Sequence, residues 1–388
     1  MRSSSDRVFL CLSLAVCLLA SPAAGAKPAG YGIPMALPPP VAVSPVVVTP
    51  QRFAQEAFEA DRSLQTVDAD AMREMQASGG PAALEAVTGV MMQKTNRGAG
   101  APILRGLIGP NNLLVIDGVR FNNATFRTGP NQYMTMLDPV SFSRFEVMMG
   151  PASVLYGSDA MGGVVHAVPH DWSRDKNAEG EAGFRFGSTD MATSAWGRAS
   201  WQADGVGVQA GAALRRFGEL RAGGGEMQPI SGYEQGSWNL RGSYTLSPGT
   251  EVRASWYGTR VMDAGRADAI TNGDFRFYDN DDDVGIVELR HEAKGTGLRQ
   301  ARLAAVIHRT DERADRYRCD VGKTAAGVGL CADAGVAQRG GILGSDVVPA
   351  PDAPLTRNSQ NGDTVWSPGG LALAQWALAG GALMVNAG

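Results

Sequence analysis

The residue types that carry most enzyme chemistry are sparse in this sequence, and their spacing does not suit catalysis. The histidines are His166, His170, His291 and His308. The first two have the i, i+4 spacing of a helical metal pair, but Pro169 between them opposes a helix. The sequence contains no convincing nucleophile elbow, Walker phosphate loop or zinc ligand set. It therefore indicates neither an enzyme nor a protein with a resident cofactor or metal.

An acidic run, Asp279–Asp283, has the composition of a calcium-binding loop. In an EF-hand that starts at Asp279, the sixth position must be glycine and the twelfth must be glutamate. These positions hold Val284 and Arg290. The template fails, and the run is predicted to be an acidic external loop.

Length and composition limit the class of protein. The chain has 388 residues, a formal net charge of -4 and 50 glycines. This charge gives no general attraction to nucleic acid or to an anionic membrane surface. Abundant glycine favours a protein rich in strands and turns over a helical bundle. The length allows two or three ordinary domains or one large membrane β-structure.

The N-terminus has the layout of a secretory signal peptide. Arg2 and Arg7 flank a polar start, Val8–Ala20 is apolar, and Ala24–Ala26 supplies small residues for cleavage. An uncleaved anchor is the alternative, which the cleavage site opposes. Residues 1–26 are therefore predicted to be removed during export from the cytoplasm. No later run has about 18 consecutive apolar residues, so any membrane contact is expected through strands or at the surface.

Two cysteines remain after the predicted cleavage, Cys319 and Cys331. In an oxidising compartment such an even pair is expected to form one loop disulfide. A metal pair is the weaker alternative, because no second pair of ligands lies nearby.

A proline- and alanine-rich stretch, Lys27–Val43, is predicted to be an extended linker. The β-prone run Ser44–Thr49 follows it, with Pro45 and Pro50 at its two ends. Proline keeps such a run out of a central strand. The run is either more linker or a solitary strand to which a partner pairs by strand addition.

From Gln65 to Val168 the pattern is mixed α and β. Asp70 is predicted to cap a short helix, and Pro81 occupies the first position of a helix over Ala82–Val87. Leu113–Val119 is predicted to be a strand that ends in an Asp-Gly hairpin turn. Further along, the polar segment 122–131 is either a ligand-contacting loop or simply a solvated one.

After about residue 173 the pattern changes to alternation with a period of two. Apolar residues take alternate positions in segments 182–186, 206–214, 238–246 and 252–256. Strands of about ten residues with one apolar and one polar face are typical of a transmembrane β-barrel. A soluble β-sandwich has the same period, so alternation alone does not decide. The barrel is favoured by polar faces rich in Arg, Gln and Asn, by alternating short and long connections, and by tryptophans at 196, 201, 238 and 256.

An ordered series of motifs carries a family resemblance. The series consists of Ile103–Gly106, Leu113–Val119, Phe145–Val147, Gly150–Gly157 and Ala160–Val165. In this order the motifs resemble the plug domain of TonB-dependent outer-membrane receptors, and the later strands resemble the start of that family's barrel. The resemblance implies a mixed α/β plug domain followed by antiparallel transmembrane β-barrel strands. The implied domains are a linker with a TonB box over 27–50, a plug over 51–172 and a partial barrel over 173–388.

The resemblance also implies a function in the outer membrane of a Gram-negative cell. Such receptors bind a scarce nutrient of the ferric siderophore, haem or cobalamin class and import it with energy transmitted by TonB. The implied partners are the periplasmic domain of TonB, a metal chelate or similar small ligand, and outer-membrane lipid, with no nucleic acid. The alternatives are a passive porin-like channel, a secreted β-rich adhesin or enzyme, and a non-functional truncated receptor fragment.

Specific residues follow from matching the family's motifs. The implied TonB-binding residues are Ser44, Pro45, Val46, Val47, Val48 and Thr49. The implied plug–barrel contacts are Arg105 and Glu146. The implied ligand-binding residues of the apical plug loop are Asn122, Asn123, Thr125, Arg127 and Asn131.

The sequence departs from the family pattern in two respects. The residue before Gly150 is usually arginine, and here it is Met149, so one plug charge is missing. A barrel of 22 strands also needs about 220 residues in strands alone, whereas the region after the plug supplies roughly eight to ten strands. The end of the chain, Leu383–Gly388, lacks the terminal aromatic residue of outer-membrane barrels. A truncated or frameshifted chain is expected; a complete small barrel would not hold the plug.

Overall fold

The computed structural model describes residues 46–47, 52–53, 55–56, 63–122, 133–172, 178–221, 223–225, 227–228, 230–266, 274–293, 295, 297–319, 355–378 and 383–387. Before residue 172 the strands are β1 (Val46–Val47), β2 (Gln55–Glu56), β3 (Leu64–Asp68), β4 (Val90–Gln93), β5 (Ala101–Leu104), β6 (Asn112–Ile116), β7 (Val119–Arg120), β8 (Phe142–Met149) and β9 (Gly163–Pro169). The helices are α1 (Ala69–Glu74), α2 (Gly80–Leu84) and α3 (Ser153–Tyr156), with 3-10 turns at Gly109–Asn111, Met134–Met136 and Pro139–Ser141.

A five-stranded sheet in the order β3-β8-β9-β6-β7 organises residues 63–172, which we call the plug domain. Its strands pair antiparallel except β6 and β9, which are parallel. Strand β6 reads Asn-Leu-Leu-Val-Ile and every residue in it is buried. A strand buried on both faces needs such a continuous apolar run, which places β6 inside the domain.

The local expectations for the plug are met in part. The Asp117–Gly118 turn joins β6 to β7 with positive φ at both residues, as the hairpin signal predicts. The expected cap of α1 at Asp70 is wrong. Asp68 caps the helix, because its backbone is extended and its carboxylate accepts from the N–H of Ala71 at 2.8 Å. Pro81 lies in the first turn of α2 as predicted, but that helix ends at Leu84.

A second, nine-stranded sheet follows, which we call the wall sheet. The later strands are β10 (Ala178–Gly187), β11 (Ala192–Ala203), β12 (Val206–Phe217), β13 (Leu220–Arg221), β14 (Met227–Gln228), β15 (Tyr233–Ser247), β16 (Thr250–Gly265), β17 (Asp274–Glu292), β18 (Gly297–Cys319), β19 (Leu355–Leu378) and β20 (Leu383–Ala387). The wall sheet runs β10-β11-β12-β15-β16-β17-β18-β19-β20, each strand antiparallel to the next, while β13 and β14 form a separate hairpin. This strand number lies within the range of roughly eight to ten expected from segment length.

The connections between wall strands differ at the two ends of the sheet. At one end they are residues 204–205, 248–249, 293–296 and 379–382. At the other end, which we call the loop end, they are residues 188–191, 218–232, 266–273 and 320–354. Outer-membrane barrels have short turns on the periplasmic side and longer loops outside, so the loop end is the one expected to face outward.

The wall sheet is inverted relative to a soluble protein, because its apolar face is exposed and its polar face is buried. In β12, Val208 is 42% exposed, while its neighbour Gln209 is 3% exposed and Arg215 is 7% exposed. The exposed face also carries Leu240, Trp256, Val287, Leu303 and Ile307. The plug covers the polar face. A β-sandwich would bury the apolar face, so the inversion supports the barrel interpretation.

The predicted tryptophans divide between the two faces. Trp201 and Trp256 are about half exposed on the outer face, at 47% and 51%. Trp196 instead pairs in register with Ala213, which is buried and lies on the same face of β12 as Arg215, so Trp196 lies on the inner face and outside any lipid-facing girdle. Among the described residues, no helix is long and apolar enough to cross a membrane.

Replacing Val287 by arginine tests whether the outer face contacts lipid. Val287 is 57% exposed and pairs with Ala254 and Ala305 in an apolar row. Arginine at the bilayer midplane destabilises a barrel by about 2–4 kcal/mol, so Val287→Arg is expected to lower the free energy of folding into phospholipid vesicles by that amount. Denaturant titration followed by tryptophan fluorescence measures it. Val287→Ala, which stays apolar, is the control, and equal stability of the two variants would contradict lipid contact.

Candidate plug–barrel interface

Part of the predicted TonB box lies in the described chain. Val46 and Val47 form β1, which pairs antiparallel with Glu56 and Gln55 of β2. The predicted residues Ser44, Pro45, Val48 and Thr49 lie outside the described residues. The two described residues are therefore already in a strand pair.

Asn122 does not suit the ligand-binding role expected of it. Its side chain is only 5% exposed. Its Oδ1 accepts from the N–H of Leu114 at 2.9 Å, and its Nδ2 donates to the carbonyl of Asn112 at 3.0 Å. These bonds bind the chain after β7 to β6, which is a structural role. Asn123, Thr125, Arg127 and Asn131 lie outside the described residues.

Arg105 and Glu146, expected as contacts to the barrel, occupy different environments. Arg105 is exposed in a turn with φ of 51°, and among the described residues it forms no ion pair with the wall sheet. Glu146 is fully buried in β8 and pairs with Arg144 of the same strand at 2.8 Å. Met149, the departure from the family pattern, packs against the apolar core at half-burial. An apolar contact therefore occupies the position of the missing charge.

A cluster of charges at the β6–β7 turn joins the plug to the wall sheet. Asp117 accepts from Arg290 at 3.0 Å, and its carboxylate lies 3.8 Å from Arg302 and 3.9 Å from Arg241. Arg302 also donates to the backbone carbonyl of Asp117. We call this set the Asp117 clamp. It connects one plug turn to β15, β17 and β18.

The clamp keeps Asp117 ionised although it is buried. Burial alone would raise its pKa, but the guanidinium groups of Arg290, Arg302, Arg241 and Arg253 more than offset this and hold the pKa well below its ordinary value. Asp117 is therefore a carboxylate at neutral pH.

A wall carboxylate completes the clamp. Glu288 of β17 bonds to Arg290 and to Arg302, each at 2.5 Å. Within the plug, His166 accepts from the N–H of Gly118 through Nε2 at 2.9 Å. Burial lowers the pKa of His166 to about 4, so its ring is neutral and able to accept. The turn is thus held by the wall on one side and by the plug sheet on the other.

A second clamp surrounds Asp138, which is 1% exposed. Its carboxylate forms a two-pronged ion pair with Arg215 of β12 and accepts from the hydroxyl of Ser237 at 2.7 Å. It also caps the following turn by accepting from the N–H of Val140 at 2.9 Å. One carboxylate thus fixes the local plug backbone and attaches it to two wall strands.

Polar side chains of the wall bind the backbone around Asp138. Gln235 donates to the carbonyl of Thr135 at 3.1 Å, Thr259 donates to that of Met136 at 2.9 Å, and Asn239 donates to the hydroxyl of Ser141 at 3.0 Å. Two ring contacts add to these bonds, Phe142 with Tyr257 at 5.6 Å and Phe121 with His308 at 5.0 Å. The plug face against the wall is therefore both polar and aromatic.

At the junction between plug and wall, two arginine side chains stack on a tryptophan ring. Trp172 lies beneath Arg241 at 4.6 Å and Arg253 at 5.2 Å. Arg241 also donates to the backbone carbonyl of His170. Cation–π contacts of this kind are strongest when water is excluded.

The acidic run with the composition of a calcium-binding loop forms part of a strand and is paired with arginines. The run Asp279–Asp283 lies inside strand β17, so its prediction as a loop is wrong. Arginines of neighbouring strands balance its outer carboxylates, as Arg260 does for Asp283 at 2.7 Å, while Asp282 faces inward and meets His308 at 2.8 Å. Within the described ranges, no three His, Cys, Asp or Glu side chains are grouped to hold a metal ion. Cys331 and the side chain of Cys319 fall outside the described part.

Asp117→Asn tests the first clamp. Removing one partner of a buried ion pair costs about 3–5 kcal/mol, so the β6–β7 turn is expected to open more often and exchange its amide hydrogens faster. Hydrogen–deuterium exchange of the peptide 112–122 measures this. Asp70→Asn, which breaks an exposed pair with Arg73 on α1, is the control and is expected to leave exchange unchanged. Equal exchange in both variants would contradict the clamp.

Comparison with known proteins shows which family the plug domain resembles. Residues 56–164 match the family model described as TonB-dependent Receptor Plug Domain. The vitamin B12 transporter BtuB of Vibrio vulnificus is 29% identical over 155 residues, which cover 39% of this chain and 24% of that protein. The hemin receptor of Yersinia pestis is 31% identical over 121 residues, covering 31% of this chain and 17% of that protein.

The fold extends the likeness beyond the plug. The FrpB iron transporter from Neisseria meningitidis superposes with a TM-score of 0.58 at 13% identity, over 81% of this chain and 46% of that structure. In each comparison the matched part spans less than half of the relative's length. The family consists of receptors and transporters and not of enzymes. The chain therefore contains a domain that matches the plug of TonB-dependent receptors, followed by a sheet of nine antiparallel strands with the fold of part of such a barrel.

Proposed function

We propose that the protein is an outer-membrane receptor that binds a scarce nutrient and imports it with energy transmitted by TonB. The nutrient belongs to the ferric siderophore, haem or cobalamin class, since relatives carry names of vitamin B12, hemin and rhizobactin receptors. In this proposal residues 1–26 are the signal peptide, 27–50 the periplasmic linker with the TonB box, 51–172 the plug and 173–388 the barrel part.

The observation that carries the proposal is the pair of buried clamps at Asp117 and Asp138. A passive pore has no use for a domain fixed across its lumen by buried charges, which are costly to desolvate. A transporter that opens only when energy is supplied needs a closed state of this kind. The clamps therefore favour active import over the porin-like alternative.

The chain before β3 offers a way for force to reach the first clamp. Among the described residues, the strand that pairs with β1 is the two-residue β2, so a strand of TonB can replace β2 by β-augmentation. A few residues on, Arg52 donates to the carbonyl of Leu155 at 2.9 Å and to that of Gly118 at 3.3 Å. Force applied to residues 44–49 would therefore reach the turn that carries Asp117.

Deleting Ser44–Thr49 from the chromosomal gene tests the proposal. Energised uptake of the nutrient is expected to disappear while binding to the cell surface remains, because the deletion removes the TonB contact and not the outer face. Growth on haem, cobalamin or ferric siderophores as the limiting source, with radiolabelled uptake, identifies the nutrient. Deletion of Pro34–Pro39, of equal length in the linker, is the control. Unchanged uptake after the first deletion would favour a passive channel.

A further inference from the structure

The described chain before β3, which we call the N-terminal arm, meets the plug at Arg52, beside the buried Phe53. The side chain of Phe53 is 6% exposed, so the arm is packed at this point and not merely tethered. The backbone of Arg52 has a φ of 64°, in the left-handed region that residues with side chains rarely adopt. Such a conformation persists only where surrounding contacts hold it, so the departure of Arg52 would relieve strain.

The side chain of Arg52 joins the arm to two segments of the plug. One guanidinium nitrogen donates to the carbonyl of Leu155 in α3 at 2.9 Å, and the other donates to the carbonyl of Gly118 at 3.3 Å. The guanidinium also lies 4.9 Å from the centre of the Tyr156 ring. Arg52 therefore ties the β6–β7 turn to α3 from outside the plug domain.

The β6–β7 turn is held from three sides. Arg52 of the arm donates to the carbonyl of Gly118, while His166 of the plug sheet accepts from the N–H of Gly118 at 2.9 Å. On the third side, Arg302 of the wall sheet donates to the carbonyl of Asp117. Of these three contacts, the one from Arg52 comes from a segment that belongs neither to the plug sheet nor to the wall sheet.

The contacts of Arg52 are weaker than those of the wall arginines. Among the described residues Arg52 has no carboxylate partner, and it is held by two carbonyls and an aromatic ring. Burial lowers its pKa and the nearby charge of Arg302 adds to this effect, although Tyr156 opposes it. A guanidinium in such a place regains hydration when it leaves, whereas moving Asp117 away from Arg290 separates a buried ion pair. The contacts of Arg52 are therefore expected to break first when the arm is pulled.

The position of Arg52 adjoins a cavity between the plug and the wall sheet. Arg52 and Phe53 line this cavity of about 580 Å³ together with Asp117 of the plug and Arg302 of the wall. Glu292, the last residue of β17 before the connection 293–296, also lines it, so the cavity lies at the end opposite the loop end. Withdrawal of the arm would enlarge the space beside the β6–β7 turn on the side expected to face the periplasm.

We propose that Arg52 is a positioning residue that keeps the β6–β7 turn, and with it the Asp117 clamp, in the closed arrangement. When the arm is drawn away, the turn loses one of its three contacts and the clamp opens more often. This inference rests on the proposed import function and specifies how its closed state is released. It also separates the two clamps, because within the described part of the chain Arg52 makes no bond to the residues of the Asp138 clamp.

The test measures hydrogen–deuterium exchange in the complete receptor in detergent micelles, without any nutrient. Arg52→Ala is expected to speed the exchange of peptide 112–122 about tenfold, because the turn loses a charged hydrogen-bond donor. Exchange of peptide 133–141, which contains Asp138, is expected to stay as in the wild type. A general loss of stability would speed both peptides equally, and that result would contradict a positioning role.

Arg185→Ala is the matched control. Arg185 of β10 also donates to a plug carbonyl, that of Gln76 after α1, and its loss is expected to leave peptide 112–122 unchanged. Arg52→Lys is a second variant in case the alanine variant does not fold. Lysine keeps the charge but cannot span both carbonyls as a guanidinium does, so an intermediate exchange rate is expected. Exchange of peptide 112–122 at the wild-type rate in both Arg52 variants would overturn the inference.

A double variant tests whether Arg52 acts through the Asp117 clamp. Asp117→Asn already weakens the clamp, so adding Arg52→Ala to it is expected to speed the exchange of peptide 112–122 by only about twofold or less. A further tenfold increase would mean that the two contacts act independently, and the proposed coupling would then be wrong.

The two proposals fail in different ways. Unchanged exchange in Arg52→Ala, together with uptake of radiolabelled vitamin B12, haemin or a ferric siderophore that requires Ser44–Thr49, would overturn the role of Arg52 and leave the import function standing. Faster exchange of peptide 112–122 in Arg52→Ala, together with uptake that ignores the Ser44–Thr49 deletion, would support that role and refute TonB-driven import.

Discussion

The structure depends on ion pairs that are buried between the plug and the wall sheet. A carboxylate removed from water is stable only when cations and hydrogen-bond donors replace its hydration. Asp117 and Asp138 of the plug both meet this requirement through arginines of the wall sheet, and Asp138 also accepts from Ser237 and Val140. The plug could not keep both ions buried without the wall, and the wall could not bury its arginines without the plug. The interface is therefore specified by charge and not only by shape.

The same requirement explains the inverted wall. Period-two alternation fixes that each strand has an apolar and a polar face, but not which face is covered. The plug covers the polar face, where Arg241 is 1% exposed, and leaves Leu240 beside it 51% exposed. Such a surface is stable in a lipid environment and would aggregate in water. The location of the plug thus decides between two architectures with the same sequence pattern.

These facts also show what the sequence could predict. The ordered plug motifs, the Asp-Gly hairpin and the strand pattern correctly predict a mixed α/β plug followed by antiparallel strands, because each depends on local spacing. The clamp residues were missed, because Asp117 is 173 positions from Arg290 and only the folded register brings them together. A signal was present: Arg290 and Arg302 alternate with Leu289 and Leu303, as residues on the polar face of a two-faced strand do. The acidic run in β17 was wrongly predicted to be a loop, because the arginines that balance its charge lie on other strands.

The two clamps differ in what a departing plug would leave behind. If the turn with Asp117 moves away, Arg290 and Arg302 retain Glu288 as a counter-ion. Arg241 loses its ion pair but retains its hydrogen bonds to Gln209 and to the carbonyl of His170. A cavity of about 580 Å³ is lined in part by Asp117, so its carboxylate would have space to become hydrated once the turn moves. The contacts of Arg215 offer no equal substitute, since its ion pair is with Asp138 alone among the described residues. Breaking that pair would strand a buried cation, which costs more than separating a pair whose members find new partners. The turn at Asp117 is therefore the part of the plug that can release at lower cost, and it is the part that Arg52 connects to the N-terminal arm.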